Sequence, residues 1–349
     1  QLTSCGSCDS IYASGDGLNR NFSQSLSQFT PEYSAGAQIA VGTDGLLNLT
    51  FQTSSFVATD ARGIQPAAWS TAASLITAAY GPGVGHTNAA LNISGQTYTY
   101  GATTNHTQHY NGISWRRGGD ILESKGAEGK GQAFGTQNAS QVGRSYTTGN
   151  RPSELQYNGF SWYHVNEPLN NPGGRGSGGS QNAAVYWGGG APSGPWYVNE
   201  WNGSNHYEVS EKSSGREGSP GGGTQNAAVA AGGQANANAC RNLTELYDGT
   251  TWSNGPSHPM AIQSNNGSGG GHQNEFAIIG SSYPDGYKCH LAFDGVTWGA
   301  NPLRPTNRCG AGYAGQDVSG LAISGVDHPS SPAATSDVYE FHGAFASGS

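Results

Sequence analysis

Charge is the scarcest property of this chain. Only 11% of its 349 residues are Asp, Glu, Lys or Arg, less than half of what soluble domains usually carry. Lys and Arg number 15 against 23 Asp and Glu, for a net charge of −8, and the one basic cluster is Arg116-Arg117. Nucleic acid is held by a cationic face, so it is not an expected partner. Long apolar runs are missing too. None approaches the roughly 20 residues of a membrane helix, so membrane insertion is not expected. No signal peptide is visible, residue 1 is Gln, and the single methionine is Met260. These features lead us to expect either removal of a leader or a piece of a longer chain.

Catalytic motifs are equally scarce. There is no GxSxG elbow and no GxxxxGK[ST] phosphate loop. Cys5-Gly-Ser-Cys8 is half of a zinc pattern, but no second CxxC or HxxxH follows, so the five cysteines read as thiols or a local disulfide. The ten histidines are dispersed, and His86 and His272 share one repeat position, which reads as structural. "DGTTW" and "DGVTW" lack the further acidic residues of a calcium loop. Glu123, Glu128, Glu154, Glu167, Glu200 and Glu208 fall in the middle of the chain, but no motif selects a pair of them for acid–base work. No cofactor or metal is expected, and the chain is expected not to be an enzyme. Eight N-x-S/T sequons permit glycosylation without indicating it.

What the chain has in excess is glycine, at 56 residues, together with 8 Trp, 17 Tyr and 10 Phe. So much aromatic surface excludes a disordered chain, and short strands joined by many turns account for both excesses. Two signatures alternate. One is "GTQNAAVAAGG" (223–233), echoed at 85–95, 135–144, 179–189, 271–281 and 315–325. The other is "ELYDGTTW" (245–252), echoed at Tyr110 to Trp115, Tyr157 to Trp162, Trp201 to His206 and Phe293 to Trp298. Trp69 stands one period before Trp115, "GTDGLLNLTF" (42–51) one period before the first glycine signature, and Phe345 closes the last echo. With a period of about 45 residues, this register predicts seven four-stranded antiparallel blades over residues 34–349, with residues 1–33 as an N-terminal arm. Six blades plus a separate N-terminal β region is the alternative. The Asn-Gly or Asp-Gly pair predicts a two-residue type I′ turn between the outer strands.

A strand ending in Gly-Gly, an aromatic about a dozen residues on and a Trp shortly after resembles the kelch repeat. The "GTQNAA…AGG…YNGxSW" form is similar to repeats in surface and fibre proteins of marine bacteria and their phages. The resemblance implies a β-propeller, and propellers host enzymes, lectins, adaptors and structural parts alike. Surplus aromatics in one unit mark Trp187, Trp196, Tyr197, His206 and Tyr207 as candidate ligand-binding residues, since sugars stack on exposed rings; packing is the competing role. The repeated Gln-Asn pairs read as structural amides rather than as ligand sites. The functional expectation is an extracellular, cell-surface or virion protein. It would contact other subunits of an assembly through its arm, and surface glycans or proteins through its propeller. A secreted carbohydrate-active enzyme or kelch-type oxidase, and a kelch interaction adaptor, are the alternatives.

Overall fold

A computed structural model describes residues 67–97, 102–124, 133–143, 154–168, 176–188, 197–216, 218–234, 240–262, 268–280, 288–308, 310–327 and 331–343. It also describes the strands Leu2–Ser4, Ile11–Ala13, Ala37–Val41 and Leu47–Phe51. The chain divides into two compact units, Gln1–Gln65 and Pro66–Ser349. In the first, Leu2–Ser4 pairs with Ile11–Ala13 and Ala37–Val41 with Leu47–Phe51, each as a two-stranded antiparallel sheet. Apart from the first of these pairs, the arm expected over residues 1–33 lies outside the described residues.

The second unit is a β-propeller of six four-stranded antiparallel blades among the described residues. Blade 1 comprises Gly83–His86, Ala89–Gln96, Thr103–Tyr110 and Trp115–Arg117; blade 2 comprises Ala133–Thr136, Ala139–Val142, Glu154–Tyr157 and Trp162–Val165. Blade 3 runs through Gly176–Ser180, Ala183–Trp187, Val198–Trp201 and His206–Val209, and blade 4 through Gly221–Thr224, Ala227–Ala231, Thr244–Tyr247 and Trp252–Asn254. Blade 5 has Ser268–His272, Glu275–Gly280, Cys289–Phe293 and Trp298–Ala300. Blade 6 takes three strands from the end of the chain, Gly312–Gln316, Ser319–Ile323 and Val338–His342, and its outermost strand, Ala68–Ala72, from the beginning.

That closure corrects the expected seven blades to six. Trp69 is not the end of an extra unit. It pairs with Phe341 on the outer edge of blade 6, in the slot where the other blades carry Trp115, Trp162, Trp252 and Trp298. Counting Trp69 as the close of a separate unit therefore counts blade 6 twice; Phe345 lies outside the described residues. Of the "GTDGLLNLTF" segment, Leu47–Phe51 pairs with Ala37–Val41 in a two-stranded sheet of the first unit instead of joining a blade. Physically, a propeller must remove the open edge left by its last sheet, and borrowing a strand from the other end of the chain does so.

The turn between the outer strands also differs from the expectation. In blade 1 the pairing ends at Tyr110 and Trp115, leaving Asn111 to Ser114 as a four-residue loop. Asn111 Oδ1 accepts the amides of Ile113 at 3.0 Å and Ser114 at 2.8 Å. Asn158, Asn202, Asp248 and Asp294 repeat this geometry. A side-chain oxygen thus replaces the backbone carbonyl that a type I′ turn would use, and only the glycine takes a positive φ, 89° at Gly112. The same bonds hold the Asp248 and Asp294 carboxyls below the usual range, led by the amides of Thr251 and Thr297.

The blades pack face to face, so the core is a set of layers between neighbouring sheets. Val84, Leu91 and Ile93 of blade 1 meet Val142, Leu155, Tyr157 and Trp162 of blade 2; Val229 and Ala231 of blade 4 meet Phe276, Ile278, Leu291 and Phe293 of blade 5. Each such large side chain contributes about 1.5–3 kcal/mol on burial. In every blade an aromatic at or next to the end of the third strand (the Tyr slot) lies against a ring at or next to the start of the fourth (the Trp slot). Tyr110–Trp115, Tyr157–Trp162, Tyr247–Trp252 and Phe293–Trp298 stand 4.9–5.0 Å apart. Trp201–His206 stand 4.7 Å and Trp69–Phe341 5.2 Å apart.

Amides of the Gln-Asn pairs fasten one blade to the next. Gln137 Nε2 of blade 2 donates to Ala90 O of blade 1 at 2.9 Å and also reaches Tyr110 O; Gln273 Nε2 of blade 5 donates to Ala228 O and Tyr247 O of blade 4 at 2.9 and 3.1 Å. Gln181 and Gln225 make the equivalent bonds to Tyr157 O and Trp201 O. The partner Asn packs beneath the hairpin glycine of its own blade, as Asn226 does under Gly249. These repeated amides are structural.

Candidate functional site

The innermost strands of the six blades touch in sequence around the axis, blade 6 meeting blade 1. They enclose an axial cavity of about 720 Å³. Its wall is mainly backbone, because the first strands read as glycine. A Cβ on Gly178 would stand 2.5 Å from Gly222 O of the next blade, so neighbouring inner strands approach more closely than any side chain would allow. One glycine per blade, Gly85, Gly135, Gly179, Gly223, Gly271 and Gly315, takes φ between 95° and 139° just before the mouth. The next residue in each blade forms the rim: His86, Thr136, Ser180, Thr224, His272 and Gln316. Hydroxyl, imidazole and carboxamide groups therefore ring the opening, and all but Gln316 are exposed. A smaller recess of about 320 Å³ continues outward between blades 4 and 5, where His272, Gln273, Asn274 and Glu275 line it.

The residues singled out from the sequence do not gather at this mouth. Trp187 is fully buried; its ring meets Trp252 of the next blade edge-on at 5.2 Å, and its core is shared by Val185, Val198 and Tyr247. His206 is buried as well. Tyr197 is half-buried at the start of the third strand of blade 3, and Tyr207 is 50% exposed on the outermost strand, where its hydroxyl accepts from Asn202 Nδ2 at 3.0 Å. Trp196 lies outside the described residues. Cys240 and Cys289 are free thiols, both pushed up by burial, while Cys5, Cys8 and Cys309 lie outside the described residues.

His206 has a clear structural reason. Where a Trp fills the slot, its indole can donate back to the preceding blade: Trp162 Nε1 to Thr107 Oγ1 and Trp298 Nε1 to Thr244 Oγ1, each at 2.9 Å. Both threonines stand three residues before the Tyr slot. In blade 2 that position is Glu154, and facing it, in place of Trp, is His206, with Nε2 2.9 Å from Glu154 Oε2. Gln141 Nε2 donates to the same carboxylate at 2.7 Å and Gln156 Nε2 to Gln141 Oε1 at 2.7 Å. Burial, reinforced by the Glu154 charge, raises the Tyr186 phenol well above its ordinary value. In blade 3 the equivalent position is Val198, and the Trp252 indole nitrogen has no hydrogen-bond partner among the described residues. The sequence break at His206 is thus one half of an exchanged pair, Glu–His for Thr–Trp, deep between blades 2 and 3.

Sequence reasoning placed His86 and His272 at one repeat position and read them as structural, but missed that this position, which also carries Thr136, Ser180, Thr224 and Gln316, forms a rim. A usable signal existed: the residue after each positive-φ glycine varies while the Gln-Asn pair two residues later repeats. Charge runs thin here as well, and no carboxylate belongs to the lining of the axial cavity. No protein-family model and no curated protein matches the chain.

Proposed function

We propose that this chain is a non-enzymatic binding and structural module, a kelch-like propeller of the surface or fibre kind, displayed outside a cell or on a virion. The observation that carries the reading is the axial mouth. It is a concave, charge-poor opening with a glycine wall and a varied ring of hydroxyl, carboxamide and imidazole groups. Such a site suits an uncharged polyhydroxylated ligand, whose hydroxyls need many moderate donors and acceptors in place of one strong charge. The recurring Gln-Asn pairs of blades 2–5 are occupied in holding blades together, which leaves the rim free to vary. Kelch resemblance, low charge and scarce lysine support an extracellular particle protein, with attachment to other subunits through the N-terminal segment.

Binding of the purified chain to a broad array of neutral and acidic glycans tests this. Ser180→Trp, at an exposed rim position, should block the mouth and abolish binding while the unfolding midpoint stays unchanged. Tyr207→Ala, on the outer edge, separates recognition by the rim from recognition by the surplus aromatics. If Tyr207→Ala abolishes binding and Ser180→Trp does not, the site moves to the blade 3 edge. If the unaltered chain binds no glycan, the glycan reading falls and contacts with protein subunits remain.

A further inference from the structure

In five of the six blades the sixth residue beyond the Trp slot buries its side chain; in blade 2 that residue, Pro168, is half-buried. Leu75, Ile121, His258 and Arg304 occupy this position. Their amides make one repeated bond, to the carbonyls of Ser336, Asn105, Asn242 and Lys288 at 2.8–2.9 Å. In blade 3 the same register falls on Lys212. All five residues are buried. Leu75 and Ile121 demonstrate that hydrocarbon meets the packing requirement here, so an ammonium at Lys212 is not demanded by the fold.

The surroundings of Lys212 do not neutralise it. Arg216, four residues on, is buried with it, and Glu245 enters from the third strand of blade 4. Arg216 Nη2 donates to Glu245 Oε2 at 2.8 Å. The other carboxylate oxygen already accepts Ser213 Oγ at 2.7 Å and the Ser214 amide at 3.2 Å. Lys212 Nζ, Arg216 Nε and Arg216 Nη1 are enclosed and have no hydrogen-bond partner among the described residues. Among the described residues, the two buried cations thus face one carboxylate that already accepts three hydrogen bonds, and Arg241 adds further positive potential at Arg216. Orphaned buried donors in such number, all from cationic groups, call for an acceptor that brings negative charge and several lone pairs.

We propose that Lys212 and Arg216, at the junction of blades 3 and 4, bind a small tetrahedral oxyanion of the phosphate or sulfate type. Its oxygens accept the unused donors of both side chains, and its charge balances the excess cation. With no anion bound, burial and then Arg216 bring the Lys212 ammonium down to about 7; a bound oxyanion favours the charged form. The site is separate from the axial mouth, and its test does not depend on glycan binding.

The experiment titrates phosphate, and separately sulfate, into the full chain in Tris chloride at constant ionic strength, reading thermal unfolding. Equilibrium dialysis with labelled phosphate counts bound ions. The expected result is a saturable rise in Tm, about 5 °C at a hundredfold excess over Kd, with one ion per chain. Lys212→Met, which keeps the stem and removes the charge, should lose both the saturable rise and the bound ion. Saturation by both anions, or by phosphate alone, sets the selectivity within the class. A linear, non-saturating rise equal in both proteins is the general exclusion effect of such salts, and it would overturn the proposal. So would unchanged binding in Lys212→Met. Should that variant not fold, dialysis on the unaltered chain decides, and no bound ion refutes the site.

Discussion

Trp69 and Phe341, drawn from opposite ends of the propeller, are cross-strand partners with ring centroids 5.2 Å apart. Trp69 Nε1 also donates to Pro302 O, beyond blade 5, at 2.9 Å. One indole thus closes blade 6 and anchors it to its neighbour.

Trp69→Ala should lower the unfolding free energy by about 3 kcal/mol, as for other packed aromatics. A shifted urea midpoint at unchanged m-value would show it. Deleting residues 1–73 should do more. It exposes the Val338–His342 edge, and light scattering should find concentration-dependent association of a kind the full chain does not show.

At the blade 2–blade 3 junction, Glu154→Thr or His206→Trp alone should cost about 3 kcal/mol, because each leaves a buried polar group without its partner. The double variant Glu154→Thr/His206→Trp recreates the Thr107–Trp162 arrangement and should recover most of that loss. A double-mutant cycle in urea measures the coupling. Additive losses would show that the two positions do not form one exchangeable unit.

The hairpin loops predict a sharp chemical distinction. Asn158→Asp keeps the oxygen that accepts the Phe160 and Ser161 amides, and should change stability by less than about 0.5 kcal/mol. Asn158→Ala removes it and should cost about 1 kcal/mol. Denaturation midpoints of the pair, measured side by side, check the prediction.

Acid should destabilise the propeller through buried imidazoles before carboxylates contribute. Burial lowers His258 to about 4 and His290 to about 3, against 6.5 for a free imidazole. As pH falls through 6.5 the unfolded chain takes up protons that the folded chain refuses. Stability is therefore full above about 6.5 and declines toward the folded values, with each group adding a slope of about 1.4 kcal/mol per pH unit. Urea unfolding at pH 7, 6 and 5 should show the decline. His258→Phe, which keeps an aromatic ring against Trp298, should make it shallower by one group's share, about 1.4 kcal/mol per pH unit.

Much of this architecture can be read from one chain because blade chemistry is local. The Asn-Gly and Asp-Gly hairpins, the Gln-Asn pairs and the Tyr–Trp cross-strand partners lie within a few residues of each other or one period apart. Repetition makes each copy evidence for the others. The six-blade alternative and the structural role of the amides followed from that, and both agree with the hydrogen bonds observed. Turn type was harder. Asn at the first loop position fits both a type I′ turn and a side-chain-capped loop, and the choice depends on whether Oδ1 or the backbone carbonyl meets the following amides.

Departures from the repeat were visible, but their meaning was not. His206 stands out in the sequence as a missing Trp; that it faces Glu154 depends on which strands neighbour across blades, a relation spanning one whole unit. Surplus aromatics suggested a surface, yet Trp187 is enclosed because a neighbouring blade supplies Trp252 to cover it. Local pattern determined the strands, their hairpins and the period. Blade number, the axial rim and the buried Lys212–Arg216–Glu245 cluster were decided only by closing the ring. Closure joins the two ends of the propeller, turns six rim residues toward one axis, and removes water from charges that the sequence shows simply as polar loop residues.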